Sequence, residues 1–345
     1  RAANEPHVIR FKTPREGTTT AVDNLRDPIT VENSTIDDYV LVKSDGLPVY
    51  HLAAMVDDHL MGITHVMRGS EWLGTFPLHV LIYEAFGWEQ PNWVHLSVFL
   101  NPSGKGKLSK RHGQQGANAI FVTDLREMGY LPEAVNNWMA LMGWSFDDHT
   151  EYFPLEKLID NFSLEKLKAN PAAVNYGKLD HFNGLYIRDL SIEDLAARIA
   201  PFFESAGIQA DMATLTQIAP IIQERIRTLE EAVDMAGFFF EAEVEPDPAS
   251  LVAKGLTPAQ AAGAAQSALE VIQATAFEAE TLEAALRALA DDLGISAGQL
   301  FTILREAVTG QRVSPPLLET MEIVGRTKVI ERLQHAIVLL QSQSE

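Results

Sequence analysis

Two lysines three positions apart, Lys107 and Lys110, flank Ser109 in a stretch that could bind a polyphosphate. Glycines on both sides of this stretch leave its backbone free to fold over a ligand. The ammonium groups would supply positive charge to the phosphates, and the hydroxyl or backbone amides would supply directional hydrogen bonds. The five residues Lys-Leu-Ser-Lys-Arg alone leave a solvated basic turn open as the alternative.

Arg68 is the only lysine or arginine between residues 51 and 100, and its neighbours are mostly apolar or small. A guanidinium buried without a partner is costly, so Arg68 must pair either with a ligand or with Asp57 or Asp58. These acids precede His59, but the ten histidines show no His-Glu-x-x-His motif and no paired spacing. We therefore predict no metal site here, and we interpret the acids as structural or as supporting the site.

The elements expected to position these residues alternate between strands and helices. Residues 8–12 and 38–43 alternate with the period of a strand, and the mostly apolar residues 49–67 suggest buried strands of a parallel sheet. Residues 77–86 predict a helix with proline in its first turn and glycine after its end. Residues 92–100 predict a strand that leads into the lysine stretch, an arrangement typical of doubly wound α/β domains.

A different pattern begins near residue 190. Before it, short helices are predicted at 118–128, 132–142 and 163–168, and Asn183-Gly184 predicts a turn. After it, Leu, Ala, Ile and Glu dominate, and no strand is predicted. Residues typical of helix starts occur at Ser191, Thr257, Thr281 and Ser296. We predict a helical bundle of two subdomains.

Length and composition limit the class of protein. With 345 residues, two or three domains are expected, and no apolar run approaches the length of a membrane span. The absence of cysteine excludes disulfides and thiolate zinc sites and fits a cytoplasmic protein. The net charge of −20 argues against non-specific nucleic-acid binding. A specific nucleic-acid partner would depend on a few placed arginines and lysines.

Several segments together resemble one family. Residues 107–111 are similar to the class I Lys-Met-Ser-Lys-Ser signature in a variant ending in Lys-Arg, and residues 49–71 resemble an amino-acid pocket segment. Further landmarks occur at 85–88, 131–134, 141–144 and 178–188. Over essentially its whole length the chain resembles bacterial glutamyl-tRNA synthetases, which are class I aminoacyl-tRNA synthetases.

This resemblance implies a multidomain fold, α/β followed by all-α. Residues 1–100 would form the C-terminal half of a Rossmann-like catalytic domain, and residues 101–189 the lysine loop and a mixed α/β stem-contact domain. Residues 190–345 would form an α-helical anticodon-binding domain, with a boundary between two subdomains near 250–290. Glutaminyl enzymes carry β-barrels there instead, and a shorter paralogue that modifies a tRNA base lacks this domain.

The resemblance also implies the ligation of glutamate to tRNA through a glutamyl-adenylate. Lys107 and Lys110 would be the catalytic cations that meet the phosphates of ATP, with Ser109 and Glu71 as further ATP-binding residues. Glu71 could instead be an acid that favours a helix N-terminus. The glutamate-binding residues would be Tyr50, whose alternative is a core tyrosine, and Arg68, which would bind the side-chain carboxylate. Position 54 has Ala where many family members have Asn.

Partners and cofactors follow from the same resemblance. The chain is expected to be a monomer that binds L-glutamate, ATP with Mg²⁺ carried by the nucleotide, and tRNA(Glu), with no zinc and no membrane contact. Whether tRNA(Gln) is a further partner stays open. Residues expected to contact tRNA, or otherwise to be surface or structural groups, are Asn183, Tyr186, Arg188, Arg225 and Arg227.

One family feature is absent from the sequence. The His-Ile-Gly-His-type motif and the arginine-containing strand before it do not occur, so we expect the chain to begin about halfway through the catalytic domain. The chain by itself is then expected not to activate an amino acid. A non-catalytic tRNA- or protein-binding module is the alternative function, although the retained lysine stretch and Arg68 favour an enzyme.

Overall fold

The computed structural model describes residues 5–109, 121–147 and 149–343. The chain divides into two compact units. Unit 1 comprises residues 1–118 and 136–176, and unit 2 comprises residues 119–135 and 177–345. Within the described residues, no helix combines the length and the apolar character needed to cross a membrane. The three-part division inferred from the sequence stays a prediction.

Unit 1 contains the strands of the described chain, which pair two by two. Two pairs are antiparallel, β1 with β4 and β2 with β3, and two are parallel, β5 with β6 and β7 with β8. Their bounds are β1 Ile9–Arg10, β2 Thr18–Ala21, β3 Ile29–Glu32, β4 Val40–Val42, β5 His65–Gly69, β6 Asn92–Leu96, β7 Phe99–Leu100 and β8 Ala172–Ala173.

The helix α2 (Phe76–Phe86) packs its first eight residues into the core of unit 1. Pro77 occupies its first turn, where no intrahelical N–H bond is required, and Gly87 ends it in the left-handed conformation with φ of 66°. Both signals were present in the sequence, and the predicted helix is confirmed. The core around it includes the fully buried Met55 and Trp93, so α2 is fixed against both the helix α1 (Tyr50–Leu60) and β6.

The expectation of buried strands over residues 49–67 is wrong for most of this range. The structure has the helix α1 (Tyr50–Leu60), and only the last residues enter β5. A continuous apolar run can fit either a buried strand or a buried helix, because periodicity alone does not separate them. Here Met55 faces the core while Asp57 and His59 are exposed, which is the one-sided burial of a helix.

The turn predicted at Asn183-Gly184 is also wrong, because both residues lie inside the helix α6 (Tyr176–Arg188). The Asn183 side chain is fully buried. Its Oδ1 accepts from Leu131 N at 2.7 Å, and its Nδ2 donates to the Arg227 carbonyl at 2.6 Å. These tertiary hydrogen bonds outweigh the local turn preference of the dipeptide.

The remaining predicted elements differ mainly at their ends. The strand predicted at 92–100 is interrupted between β6 and β7, and residues 163–168 contain only a 3₁₀ turn at Leu164–Lys166. The helix start predicted at Thr281 falls inside the helix α12 (Ala279–Leu293), which begins two residues earlier. Short helices in this central region are α3 (Val122–Glu127), α4 (Pro132–Leu141) and α5 (Leu155–Asn161).

Beyond residue 190 the described chain is helical, and this prediction is confirmed. The side chains of Ser191, Thr257 and Ser296 each accept a hydrogen bond from the third residue of the helix that follows, as N-cap residues do. The helices are α7 Ile192–Ser205, α8 Met212–Ile222, α9 Glu231–Ala236, α10 Pro248–Leu251, α11 Pro258–Ala274, α12 Ala279–Leu293, α13 Ala297–Thr309, α14 Leu317–Val324 and α15 Arg326–Ser342.

Candidate active site

Arg68 lies at the end of β5, where the parallel pairing with β6 sets it beside His95. The Arg68 Nε donates to His95 Nε2 at 3.0 Å. A second hydrogen bond joins Arg68 Nη2 to His79 Nδ1 at 2.9 Å, and His79 belongs to α2. The neighbouring strand β6 and the helix α2 therefore each supply one imidazole to the guanidinium, and both imidazoles are fully buried.

These bonds belong to a longer chain of contacts. On one side, His95 Nδ1 lies 2.6 Å from Asp23 Oδ2, and both side chains are fully buried. On the other side, His79 Nε2 lies 2.9 Å from His51 Nδ1 in α1. A continuous polar path thus runs from Asp23 through Arg68 to His51 inside an otherwise apolar core.

The third nitrogen of the guanidinium differs from the other two. Arg68 Nη1 is buried, and no residue within 5–109, 121–147 or 149–343 offers it a hydrogen bond. The group lies 4.9 Å from the ring centre of Trp93 and 5.8 Å from that of Trp72. Cation–π attraction offsets part of the desolvation cost, but an unpaired buried donor on a cation still requires a ligand or a water.

Tyr50 begins α1 beside this guanidinium and is partly exposed. Its ring stacks on Trp72 with centres 4.2 Å apart. Burial lowers the pKa of Arg68, and the nearby Tyr50 hydroxyl acts in the opposite direction. Tyr50 is therefore a wall of the guanidinium pocket, and the core position that was its alternative is not what the structure shows. Trp72 comes from the 3₁₀ helix Ser70–Thr75 that follows β5.

The electrostatics of the pocket keep the positive charge on arginine. Burial, and next the nearby Arg68 charge, lower the pKa of His79 to about 3. Burial and the same charge lower the pKa of His51. Burial also lowers the pKa of His95, although its hydrogen bond to Asp23 acts in the opposite direction. All three imidazoles are therefore neutral at physiological pH, and Arg68 is the cation among them.

The alternative ion pair between Arg68 and Asp57 or Asp58 does not occur in the described structure, since the bonds of the guanidinium go to imidazoles. Asp57 is exposed on α1. Burial raises the pKa of Asp58, while the charge of Arg68 partly opposes that shift. Asp58 therefore acts on Arg68 only through its longer-range field.

Glu71, three residues after Arg68 in the chain, forms an ion pair with Lys107. Lys107 Nζ donates to Glu71 Oε1 at 3.1 Å, and each side chain is about half exposed, 58% and 49%. The pKa of Glu71 is lowered, first by its own backbone N–H and then by Lys107. Glu71 lies in the first turn of the 3₁₀ helix, where an acid is favoured. The same carboxylate also contacts the lysine stretch, so the two interpretations of Glu71 are compatible.

Gly69 allows this arrangement because the Glu71 carboxylate folds back over it. A Cβ at position 69 would come within 2.0 Å of Glu71 Oε2. A larger residue there would push the carboxylate away from its own backbone N–H and from Lys107. The close approach explains why glycine separates Arg68 from the 3₁₀ helix.

The beginning of the lysine stretch forms a tight turn. Leu108 N donates to the Phe99 carbonyl at 2.8 Å, and Asn101 N donates to the Gly106 carbonyl at 3.0 Å. Gly104 and Gly106 adopt φ of 73° and 76°, which only glycine takes without strain. Ser109 ends this described segment, and Lys110 lies outside the described residues, so its place in the site stays a prediction.

The residues expected to contact tRNA lie in unit 2 and fall into two groups. Asn183 and Tyr186 are buried in α6, so their side chains support the surface rather than form it. Arg188 lies 3.8 Å from Glu224, Arg227 lies 3.3 Å from Glu231, and Arg225 is exposed. Of these five residues, the three arginines are the ones whose side chains reach the surface, and their contact with tRNA stays a prediction.

Sequence reasoning missed Asp23, His79 and His95. They lie far apart in the chain, and no motif spacing connects them. The only signal was the presence of an acid and histidines next to apolar strands and within an apolar helix. Across the described ranges, no group of three or more potential ligands among histidine, cysteine, aspartate and glutamate is arranged to hold a metal ion.

Comparison with known families defines the class of protein. Residues 1–181 match the family model described as tRNA synthetases class I (E and Q), catalytic domain, and residues 194–337 match an anticodon binding domain. The fold is therefore that of a class I aminoacyl-tRNA synthetase, with a catalytic domain followed by an anticodon-binding domain. The fold class inferred from the sequence is confirmed.

Individual relatives narrow this class. The glutamate–tRNA ligase of Dehalococcoides mccartyi is 44% identical over 97% of this chain and 69% of its own length. That of a Roseiflexus species is also 44% identical, over 99% of this chain and 69% of its own length. A crystal structure of the glutamate–tRNA ligase from Elizabethkingia meningosepticum, in complex with its amino acid, has a TM-score of 0.87 at 33% identity. It covers 98% of this chain and 69% of that one. The chain belongs to the glutamate–tRNA ligase family.

Proposed function

We propose that the pocket around Arg68 binds the side-chain carboxylate of L-glutamate and that Glu71 and the lysine stretch bind ATP beside it. The observation that carries this proposal is the buried Nη1 of Arg68, which no described residue satisfies. A carboxylate is the complementary ligand, because it accepts charge-assisted hydrogen bonds from a guanidinium edge in a bidentate geometry. Tyr50, whose hydroxyl is near enough to raise the Arg68 pKa, would give the ligand a further directional bond.

The reaction follows the two-step chemistry of the family. The α-carboxylate oxygen of glutamate forms a bond to the α-phosphorus of ATP, and the bond to pyrophosphate breaks. A ribose hydroxyl at the end of the tRNA then attacks the acyl carbon, AMP leaves, and the hydroxyl proton is released. No residue needs to form a covalent bond, so positioning and stabilisation of phosphate charge supply the catalysis.

Lys107 is suited to the first of these steps. Its pair with Glu71 is half exposed, and exposed pairs contribute only about 0–1 kcal/mol. The ammonium can therefore exchange the carboxylate for a phosphate oxygen at little cost. Ser109 and Lys110 would continue the same phosphate-binding stretch, and Mg²⁺ would arrive with the nucleotide phosphates rather than in a protein cage.

The helical unit would supply the tRNA contacts. Arg188 lies on its surface at the end of α6, and Arg225 and Arg227 lie on its surface in the segment between α8 and α9. Their side chains would contact phosphates of tRNA(Glu), and binding should weaken as salt rises, because phosphate contacts release counterions.

Direct binding of amino acids tests the proposal on the chain itself. L-glutamate and L-glutamine are titrated into wild type, Arg68→Lys and the control Arg15→Lys, which changes an exposed arginine paired with Asp38 in the same unit. Arg68→Lys should weaken glutamate binding at least about tenfold, since it removes a charge-assisted bidentate contact, and the control should not. Equal glutamate affinity of wild type and Arg68→Lys would refute the assignment. The chain by itself is expected to show no glutamate-dependent exchange of pyrophosphate into ATP, and robust exchange would contradict that expectation.

A further inference from the structure

The geometry points to Asp23, His95 and His79 as positioning residues that fix the free edge of Arg68 and surround it with uncharged imidazoles. This inference rests on the proposed role of Arg68 in binding glutamate. None of the three residues is placed to touch a ligand at Nη1. Each would act through the guanidinium, by deciding which of its hydrogens remain available.

The two imidazoles occupy one edge of the guanidinium. Nε donates to His95 at 3.0 Å and Nη2 donates to His79 at 2.9 Å. A planar guanidinium offers five hydrogens, and this pair takes two of them along the side that carries Nε. The end that carries Nη1 is left to a ligand, and rotation about the last side-chain bonds would break both contacts.

The direction of these bonds fixes the form of each histidine. Arginine can only donate, so His95 Nε2 and His79 Nδ1 must be unprotonated acceptors. His95 then carries its proton on Nδ1, where Asp23 Oδ2 accepts it at 2.6 Å. His79 carries its proton on Nε2 and donates to His51 Nδ1 at 2.9 Å. Hydrogen bonds are therefore donated outward from Arg68 along both arms of the path, toward Asp23 on one side and toward His51 on the other, and the imidazoles between are neutral.

Asp23 anchors the path at its buried end. Its Oδ2 accepts from His95 N at 3.0 Å as well as from the imidazole, and its Oδ1 accepts from Leu25 N at 2.8 Å. With these bonds the carboxylate cannot reorient to accept from the other imidazole nitrogen. The tautomer of His95 is thus imposed by the backbone of β6 and by the segment after β2.

The consequence concerns ligand choice. An imidazolium in this pocket would repel the guanidinium, and the other neutral tautomer would turn an N–H toward it. With both excluded, the pocket presents one fixed positive edge, which favours a carboxylate over the uncharged amide of glutamine. A fixed edge also lowers the ordering cost of binding.

The first test reads the tautomers directly. Nitrogen NMR of the ¹⁵N-histidine-labelled chain near neutral pH should show His95 protonated on Nδ1 and His79 protonated on Nε2. Signals are assigned by comparison with His79→Asn, His95→Gln and the exposed His65→Asn. Either the opposite tautomer or a doubly protonated ring at position 79 or 95 would overturn the inference, whatever the chain binds.

The second test separates positioning from packing. Asparagine at 79 keeps an acceptor near the place of Nδ1, whereas glutamine at 79 moves its amide toward the place of Nε2. His79→Gln should weaken L-glutamate binding about tenfold, as expected for a lost bond to a charged group, and His79→Asn should lie within about threefold of wild type. Equal losses in both variants would show a merely structural role and refute the inference.

The two tests fail in different ways. If wild type binds no glutamate while the tautomers are as stated, the proposed function fails and the positioning geometry stands. If glutamate binds and the tautomers differ, or if the two amide variants behave alike, the positioning inference fails alone. Melting of each variant, followed by tryptophan fluorescence, verifies that unit 1 is folded at the temperature of the titration.

Discussion

Acidification from about pH 8 to about pH 5 should destabilise unit 1 through His79. The pKa of this imidazole is lowered to about 3 by burial and by Arg68, against 6.5 for an ordinary histidine. The folded state therefore resists protonation while the unfolded chain accepts a proton, so stability is complete above the ordinary value. It is lost as the pH falls from 6.5 toward 3.

The magnitude follows from the difference in proton binding. A pH of about 5 is about 1.5 units below the pKa of the imidazole in the unfolded chain, whereas the imidazole in the folded chain is still neutral. At about 1.36 kcal/mol per unit, this difference lowers the free energy of unfolding by about 2 kcal/mol. With a urea dependence of about 2 kcal/mol per molar, the unfolding midpoint should fall by about 1 M.

The assay uses the placement of the tryptophans. All five, Trp72, Trp88, Trp93, Trp138 and Trp144, lie in unit 1, so their fluorescence during urea unfolding reports that unit. Other groups titrate in the same range, and the quantity to compare is therefore the pH dependence of wild type minus that of His79→Asn, which cannot bind the proton. If the two lose the same stability between the two pH values, the reasoning is refuted.

Three further predictions concern other sites. Lys107→Ala should weaken ATP binding by about tenfold, because it removes a charge-assisted contact to phosphate, and nucleotide titration measures this. It should change the free energy of unfolding by less than about 1 kcal/mol, as measured by urea unfolding, because the pair with Glu71 is half exposed. Asn183→Ala should destabilise unit 2 by about 2–3 kcal/mol, because it leaves a buried N–H and carbonyl unpaired, whereas Arg225→Ala should change it by less than about 0.5 kcal/mol; far-UV circular dichroism during denaturation compares them. Gly129→Ala should cost more than about 3 kcal/mol in the same measurement, since φ there is 80° and a Cβ would lie 2.5 Å from Glu230 N.

Each of these has a contrary outcome. Equal ATP affinity for Lys107→Ala and the neighbouring control Lys105→Ala would show that Lys107 has no specific role in binding the phosphates. Equal stabilities of Asn183→Ala and Arg225→Ala would show that the buried amide contributes nothing. A Gly129→Ala variant as stable as wild type would mean that the turn can relax, contrary to the close backbone approach.

Local sequence signals were sufficient where the chain forms structure from neighbouring residues. Pro77 and Gly87 marked the ends of α2, and Ser191 and Ser296 marked helix starts in unit 2, because caps and left-handed glycines act within a few residues. The same signals failed at Asn183, where a turn-forming pair is used inside a helix because distant backbone groups satisfy the amide.

The candidate site divides in the same way. Residue types and spacings singled out Arg68 and Lys107, since a lone arginine in an apolar segment and a lysine pair beside glycines are visible in the sequence. Glu71 was added only by the family resemblance. The sequence could not show that Arg68 forms no ion pair with Asp57 or Asp58. That choice depends on the β5–β6 register, which is formed between strands more than twenty residues apart.

The amino-acid sequence by itself determined the family, the helical character beyond residue 190 and the residues that carry charge in the pocket. Only the tertiary structure decided which partners those charges have. Burial and hydrogen-bond direction are properties of atoms brought together from Asp23, His79 and His95, and no local pattern encodes them. The free edge of Arg68 is what remains after those partners have been assigned.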